Sequence, residues 1–193
     1  PVVAERAMYT VGDLRGATAM RPSPSSDTHY FAEGYVVRDF QQESESYFLL
    51  QNSDDRPAHA TLTFYGNDGG SIAVEAEVGP HSRCTVTAGL YVTGEFSTLV
   101  RSDLPLSVER SVYLQGRLYG STCEHGAGLS SDRMFAEGYV APDFETYFTL
   151  FNPGDQPVEA DFSFMGNGGF SNSCRLAVPP HARSTLNAGE HVS

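Results

Sequence analysis

Apolar and polar residues alternate with a period of two along much of this chain. Ala60, Leu62 and Phe64 alternate with Thr61 and Thr63. Ile72, Val74, Ala76 and Val78 alternate with Ala73, Glu75 and Glu77, and Ala160, Phe162 and Phe164 with Asp161 and Ser163. That period belongs to half-buried antiparallel strands, one face to a core and one to water. A 3.6-residue period is found nowhere. Turn residues separate the runs: Asn52–Pro57, Gly66–Gly70, Gly79–His81 and their later counterparts Asn152–Pro157, Gly166–Gly169 and Pro179–His181. Gly and Asn at such places accept positive φ, and Pro keeps its position out of a central ladder. The pattern predicts strands near 30–37, 46–51, 58–65, 71–78, 82–88, 96–101 and 106–113. Seven short strands in roughly 100 residues is the signature of an immunoglobulin-like β-sandwich.

The pattern is written twice. Pro1–Tyr9 (PVVAERAMY) returns as Pro105–Tyr113 (PLSVERSVY), and Phe31–Val36 (FAEGYV) as Phe135–Val140, both 104 positions later. After a four-residue length difference near Gln41–Ser44 the shift becomes 100: Tyr47-Phe48 answers Tyr147-Phe148, Asn52 answers Asn152, and Pro80-His81 answers Pro180-His181. Fixed-period self-similarity marks stacked or strung modules. The expected architecture is all-β: two tandem immunoglobulin-like sandwich repeats, offset so that the chain starts on the last strand of a repeat. Residues 1–29 then hold a closing strand and a linker, 30–133 a complete repeat and its linker, and 134–193 a second repeat lacking its last strands. Thr10–His29 and Leu114–Arg133, rich in Gly, Ser and Pro, read as the connections between repeats.

A sandwich short of strands exposes an edge and a core wall. Three outcomes are open. The N-terminal strand (Val2, Val3, Ala4, Arg6, Met8) folds back on the second repeat, it adds to a neighbouring chain as an assembly strand, or further residues of a longer polypeptide close the sheet.

Charge narrows the partners. Asp and Glu number 24 against 12 cations, a net charge of −12, and every cation is Arg. That argues against nucleic acid, which wants a basic face, and against adsorption to anionic membranes. No apolar run reaches the roughly 20 residues of a membrane span, so membrane insertion is not expected. The first residue is Pro, which leaves a secretory leader upstream an open question.

Candidate chemistry is sparse. Arg6 and Arg110 fall on the apolar phase of their strands and need carboxylate partners. Glu33 and Glu137, in the Ala-Glu-Gly motif of each copy, are candidates, as are Glu5 and Glu109. A pinning ion pair is the simpler reading, because the arrangement repeats with the fold. His81-x-Arg83 and His181-x-Arg183 recur after Pro and could hold an anion, or could mark a turn. Cys84, Cys123 and Cys174 form no even framework. Cys123 with Cys174 is the one candidate disulfide. No HExxH, CxxC, GxSxG or phosphate-binding glycine loop occurs. No catalytic residue, metal site or cofactor is expected. The absence of Trp weakens a sugar-binding platform, although Tyr30, Tyr35, Tyr65, Tyr91 and Tyr139 partly substitute.

The order of motifs resembles a family of tandem β-sandwich repeats in secreted and cell-surface proteins of bacteria. The resemblance is carried by Phe-Ala-Glu-Gly at Phe31 and Phe135, and by Asn152-Pro153-Gly154-Asp155 after the strand Tyr147–Phe151. It continues in Val78-Gly79-Pro80-His81-Ser82-Arg83, in Phe96–Pro105 and in Val108–Tyr113. The chain departs from the family's usual pattern at Met134, where an aromatic is common, and at Asp54, which stands where the second copy has Gly154. The resemblance implies a secreted or cell-surface location and a structural or adhesive role without catalysis. The expected function is therefore a structural and assembly module of an extracellular repeat protein. Its working partners would be neighbouring repeats or identical subunits. The alternative is an adhesion module binding polysaccharide through the inter-repeat stretches.

Overall fold

The computed structural model of the chain describes residues 6–9, 17–20, 24–116, 120–126, 128–142 and 144–192, with backbone alone at 7–9, 17–20, 116, 120, 121, 123 and 125. Among these the fold is all-β, its helical content being 3-10 turns of three residues each. The chain divides into two units, Pro1–Gly128 and Leu129–Ser193.

The first unit holds β1 (Arg6–Tyr9), β2 (Ala17–Met20), β3 (Ser26–Phe31), β4 (Tyr35–Arg38), β5 (Gln42–Asn52), β6 (Ala58–Gly66), β7 (Ser71–Val78), β8 (Ser82–Thr87), β9 (Gly94–Gly116) and β10 (Gly120–His125). Eight of them form one sheet in the order β7-β6-β9-β4-β5-β8, with β3 and β10 also on β9. Because β9 pairs with β5 directly as well as through β4, the sheet is barrel-like.

Strand β9 merges two runs that the pattern separates, 96–101 and 106–113. Its first half, Phe96–Ser102, pairs with β6, and its second half, Ser107–Gly116, pairs with β5. Across its other edge the first half takes β3 and the second takes β10. Asp103–Pro105, between the halves, have no ladder partner among the described residues. Pro105 has no N–H to give a ladder. Side chains take over there: Asp103 Oδ1 accepts the His59 amide at 2.8 Å, and the Ser102 hydroxyl donates to the Leu104 carbonyl at 2.7 Å.

The core follows the two-residue period. Phe48 and Leu50 of β5, Ala60, Leu62 and Phe64 of β6, Val74 and Val78 of β7, and Phe96, Val100, Leu106 and Val108 of β9 are all buried. Four rings knit it together: Phe31–Phe48 at 5.3 Å, Phe48–Phe64 at 5.6 Å, Phe64–Phe96 at 5.5 Å and Phe48–Phe96 at 6.5 Å between centroids. Such contacts add about 0.5–1.5 kcal/mol each beyond area burial. Gly34 of the Ala-Glu-Gly motif lies under the Phe96 ring. A Cβ there would stand 2.3 Å from Cε2. The motif therefore bends the chain out of the expected 30–37 strand and splits it into β3 and β4.

The second unit holds β11 (Tyr147–Asn152), β12 (Val158–Met165), β13 (Ser171–Val178) and β14 (Ala182–Asn187). They make two two-stranded sheets, β11–β14 and β12–β13. Each register repeats the first unit's at a shift of 100. Phe148↔Leu186 answers Phe48↔Val86, and Ala160↔Leu176 answers Ala60↔Ala76. The buried amide at the end of β5 recurs as well. Asn52 Nδ2 donates to the carbonyls of Arg56 at 2.7 Å and Val78 at 3.1 Å; Asn152 Nδ2 donates to those of Gln156 at 2.7 Å and Val178 at 3.2 Å.

Both stretches read as connections contain strands: β2 and the start of β3 in the first, β10 in the second. The N-terminal strand β1 pairs with β2 and belongs to the first unit. Val2, Val3 and Ala4 lie outside the described residues.

Gly34→Ala is expected to cost about 1–3 kcal/mol through overpacking against Phe96. Gly138→Ala, whose Cβ meets nothing closer than 3.8 Å, is expected to change stability by no more than about 0.5 kcal/mol. Urea midpoints of the two variants, measured on the whole chain, check the difference.

Candidate functional site

Two features stand out once the strands are placed: a buried arginine that closes the first unit, and the more exposed rings of the second.

Arg110 sits on the inward phase of β9 between Val108 and Val112, and is 2% exposed. A charge so placed must be paired where it lies. Its Nη1 donates to Glu33 Oε2 at 2.9 Å and to Thr122 Oγ1 at 3.3 Å, and its Nη2 donates to Glu124 Oε2 at 3.1 Å. Glu33 comes from the bend between β3 and β4, and Glu124 is the cross-strand neighbour of Arg110 on β10. The two carboxylates are 42% and 44% exposed. The guanidinium therefore anchors from inside two groups that still face water. It ties the bend, the long strand and the closing ribbon together.

Of the sequence-chosen residues, the structure brings Glu33 to Arg110 and Glu109 to Arg6, the latter at 2.6 Å. Glu5 lies outside the described residues. Glu137 is exposed and belongs to no strand. Glu124 was missed because its strand lies in a stretch read as a connection. The brief alternation in Ser121–His125 was its only signal.

The histidine motifs are turn pieces. His81 and His181 take φ of 47° and 51°. Each amide donates to the carbonyl of the preceding loop, Asp54 or Gly154, at 3.3 Å. Each Nε2 lies 2.7 Å from the Oδ1 of Asp55 or Asp155. Arg83 and Arg183 turn away to Thr85 and Thr185. In the same loop, the hydrogen bonds from Arg56 hold the Asp54 carboxyl below its ordinary pKa. Burial pushes the Cys84 thiol up, which disfavours the reactive thiolate. Cys84 and Cys174 are free thiols. Cys123 stands opposite Ser111 on β10, with its side chain outside the described residues. Among the described residues no cluster of His, Cys, Asp and Glu could hold a metal ion. The open groove lined by Tyr35–Arg38, Gly89 and Thr93–Gly94 offers no acid–base pair: Arg38 is bound to Glu45 at 2.7 Å, and Glu45 also accepts the Gly89 amide at 2.8 Å.

The second unit repeats three of the four core rings, as Phe135, Phe148 and Phe164. Phe135 packs on Phe148 at 5.3 Å, and Phe148 on Phe164 at 6.1 Å. Yet Phe135 is 68% exposed, where Phe31 is fully buried. Phe148 and Phe164 are half-buried, where Phe48 and Phe64 are sealed. Gly138 keeps the glycine that Phe96 requires of Gly34, but a Cβ there would meet only Thr146 Cγ2 at 3.8 Å and Phe148 Cζ at 3.9 Å. What differs is β9, which has no counterpart among the described residues of this unit.

No family profile matches the chain, and no curated protein sequence matches it. Solved structures similar to part of it include the following two. The crystal structure of Thermotoga maritima 1070 is 20% identical, covering 53% of this chain and 93% of that one, with a TM-score of 0.46. The Anabaena sensory rhodopsin transducer is 19% identical, covering 45% and 95%, with a TM-score of 0.37. Likenesses this distant carry no functional argument.

Arg110→Ala opens a cavity beside two carboxylates that still face water, and is expected to destabilise the chain by about 2–5 kcal/mol. Arg110→Met keeps the volume without the charge, and is expected to recover at least half of that loss. Urea unfolding of both variants is the measurement. Equal losses would show that the lost ion pair, and not the cavity, sets the cost.

Proposed function

We propose that the chain is a structural assembly module of an extracellular repeat protein, of the kind that builds a cell-surface stalk, sheath or filament. Its two units are tandem copies of one module, immunoglobulin-like in strand pattern. Its work is done through strand-to-strand contact, and no reaction is assigned to it. The carrying observation is the agreement of registers, pair by pair at a shift of 100, between β5–β8 and β11–β14 and between β6–β7 and β12–β13. The acidic charge and the resemblance to bacterial surface repeats support the same reading, with location outside the cell. Neighbouring repeats or identical subunits are the partners it calls for.

Hydrogen exchange tests this reading. Amides of β5 and β6 are expected to be protected at every protein concentration. Those of Phe148–Leu150 and Asp161–Phe164 are expected to exchange fast in dilute solution and to gain protection as concentration rises. Exchange in the second unit that ignores concentration would count against assembly as the function.

A further inference from the structure

Six asparagines stand in the chain, and all but one are held in place. Asn52 and Asn152 are buried with their Nδ2 groups on carbonyls. Asn152 is also followed by Pro153, which has no N–H. Asn67 Nδ2 donates to Glu95 Oε2 at 2.9 Å. Asn172 Nδ2 donates to the His191 carbonyl at 2.8 Å, and its Oδ1 accepts the amide of the next residue, Ser173, at 2.8 Å. Asn187 Oδ1 accepts the Gly189 amide at 2.9 Å, and the amide that follows it, that of Ala188, donates to the Thr146 carbonyl at 2.9 Å.

Asn167 differs from these five. It opens the 3-10 turn Asn167–Gly169 between β12 and β13, in an exposed tip. Its side chain makes no hydrogen bond among the described residues. The next residue is Gly168, the second of the turn, where an N–H has no acceptor within the turn itself. A Cβ on Gly168 or Gly169 would meet nothing within 4 Å among the described residues. The Asn167 side chain therefore has room to swing. The matching turn of the first unit is guarded twice. Asp68 stands in the place of Gly168, with its Oδ1 on the Gly70 amide at 2.9 Å, and Glu95 holds Asn67.

We propose that Asn167-Gly168 is a self-modification site, at which the Gly168 amide nitrogen turns the Asn167 side chain into a carboxylate, with water as co-reactant and ammonia as leaving group. Solvent base takes the Gly168 N–H proton. The nitrogen bonds to Asn167 Cγ, the Cγ–Nδ2 bond breaks, and Nδ2 leaves as ammonia after taking a proton from water. Water then opens the five-membered imide at either carbonyl. Opening at Cγ leaves aspartate. Opening at the backbone carbonyl leaves isoaspartate, whose main chain runs through Cβ and Cγ. Nothing is oxidised or reduced. The turn must shift its backbone for the nitrogen to reach Cγ, and exposed tips with few contacts open at little cost.

Both products add a negative charge to a chain already at −12. Isoaspartate also lengthens the main chain inside a tip closed by the Gly166 amide on the Phe170 carbonyl at 3.0 Å. The neighbouring pairs Met165↔Ser171 and Phe164↔Asn172 then loosen. With them go the stack of Phe164 on His191 at 5.8 Å and the Asn172 bond to the same residue. The second unit thus ages at a turn where the first does not.

Prolonged incubation of the whole chain in neutral and in mildly alkaline buffer, followed by proteolysis and fragment mass spectrometry, tests this. Asn167 is expected to gain about one mass unit, NH2 replaced by OH, with release of ammonia and faster in alkali. Asn67, Asn172 and Asn187 are expected to stay intact in the folded chain, and Asn172 and Asn187 to begin reacting once urea unfolds it. Asn167→Gln, which could close only a six-membered imide, is expected to keep the wild-type urea midpoint and to stay unmodified. At one fixed concentration, the amides of Phe164 and Asn172 are expected to exchange faster in aged wild type than in the aged variant. An unchanged Asn167, a rate indifferent to pH, or an equal gain at Asn172 in the folded chain overturns the proposal.

Discussion

Everything in the first unit depends on one strand meeting two sets of partners. β9 supplies the neighbour that β6 and β3 need with its first half, and the neighbour that β5 and β10 need with its second. The halves also carry the two side chains that seal the core, Phe96 at one end and Arg110 at the other, both buried. Before β9 is in place, the β5–β8 and β6–β7 pairs have inner faces but no common wall. Those pairs already specify register and turns, as the matching pairs β11–β14 and β12–β13 show. They do not bury their rings. Among the described residues of the second unit the same pair registers occur with no strand in the place of β9. This explains how registers can agree pair by pair while Phe31 and Phe135 differ completely in exposure.

How much of this was legible follows from where the physics is local. Alternation in Ala58–Tyr65 and Ser71–Val78 is a local record of one buried face, so those strands and their +100 copies could be read directly. The inward phase of Arg110 was readable for the same reason, as was its need for a carboxylate partner. The continuity of β9 was not. Asp103-Leu104-Pro105 reads as a turn, because a proline without an N–H cannot serve a ladder. Only the tertiary arrangement shows that the chain runs straight there while it trades β6 for β5. β2 and β10 were hidden because short ribbons at a sheet margin bury too little apolar surface to impose a clear period. The split of the 30–37 strand was unreadable too, since Gly34 owes its identity to a ring more than sixty positions away.

The choice of arginine on the inner face of a closing strand also has a physical logic. A purely apolar strand would pack at least as well against Phe48, and buried ion pairs are often no more stabilising than hydrophobic replacements. What the charge adds is discrimination. Shifting the strand by one residue would drive the guanidinium to the wrong face, and by two would take it from Glu33 and Glu124 into the apolar core. An inward-pointing charge is also one of the devices that keep free strands from pairing indiscriminately. A module repeated along a chain needs such a device more than an isolated domain does, because every copy presents similar edges to every similar strand. The pair of Glu33 with Arg110 then selects one register from many near-equivalents. That role is consistent with an ion pair placed where its contribution to stability is modest and its contribution to specificity is large.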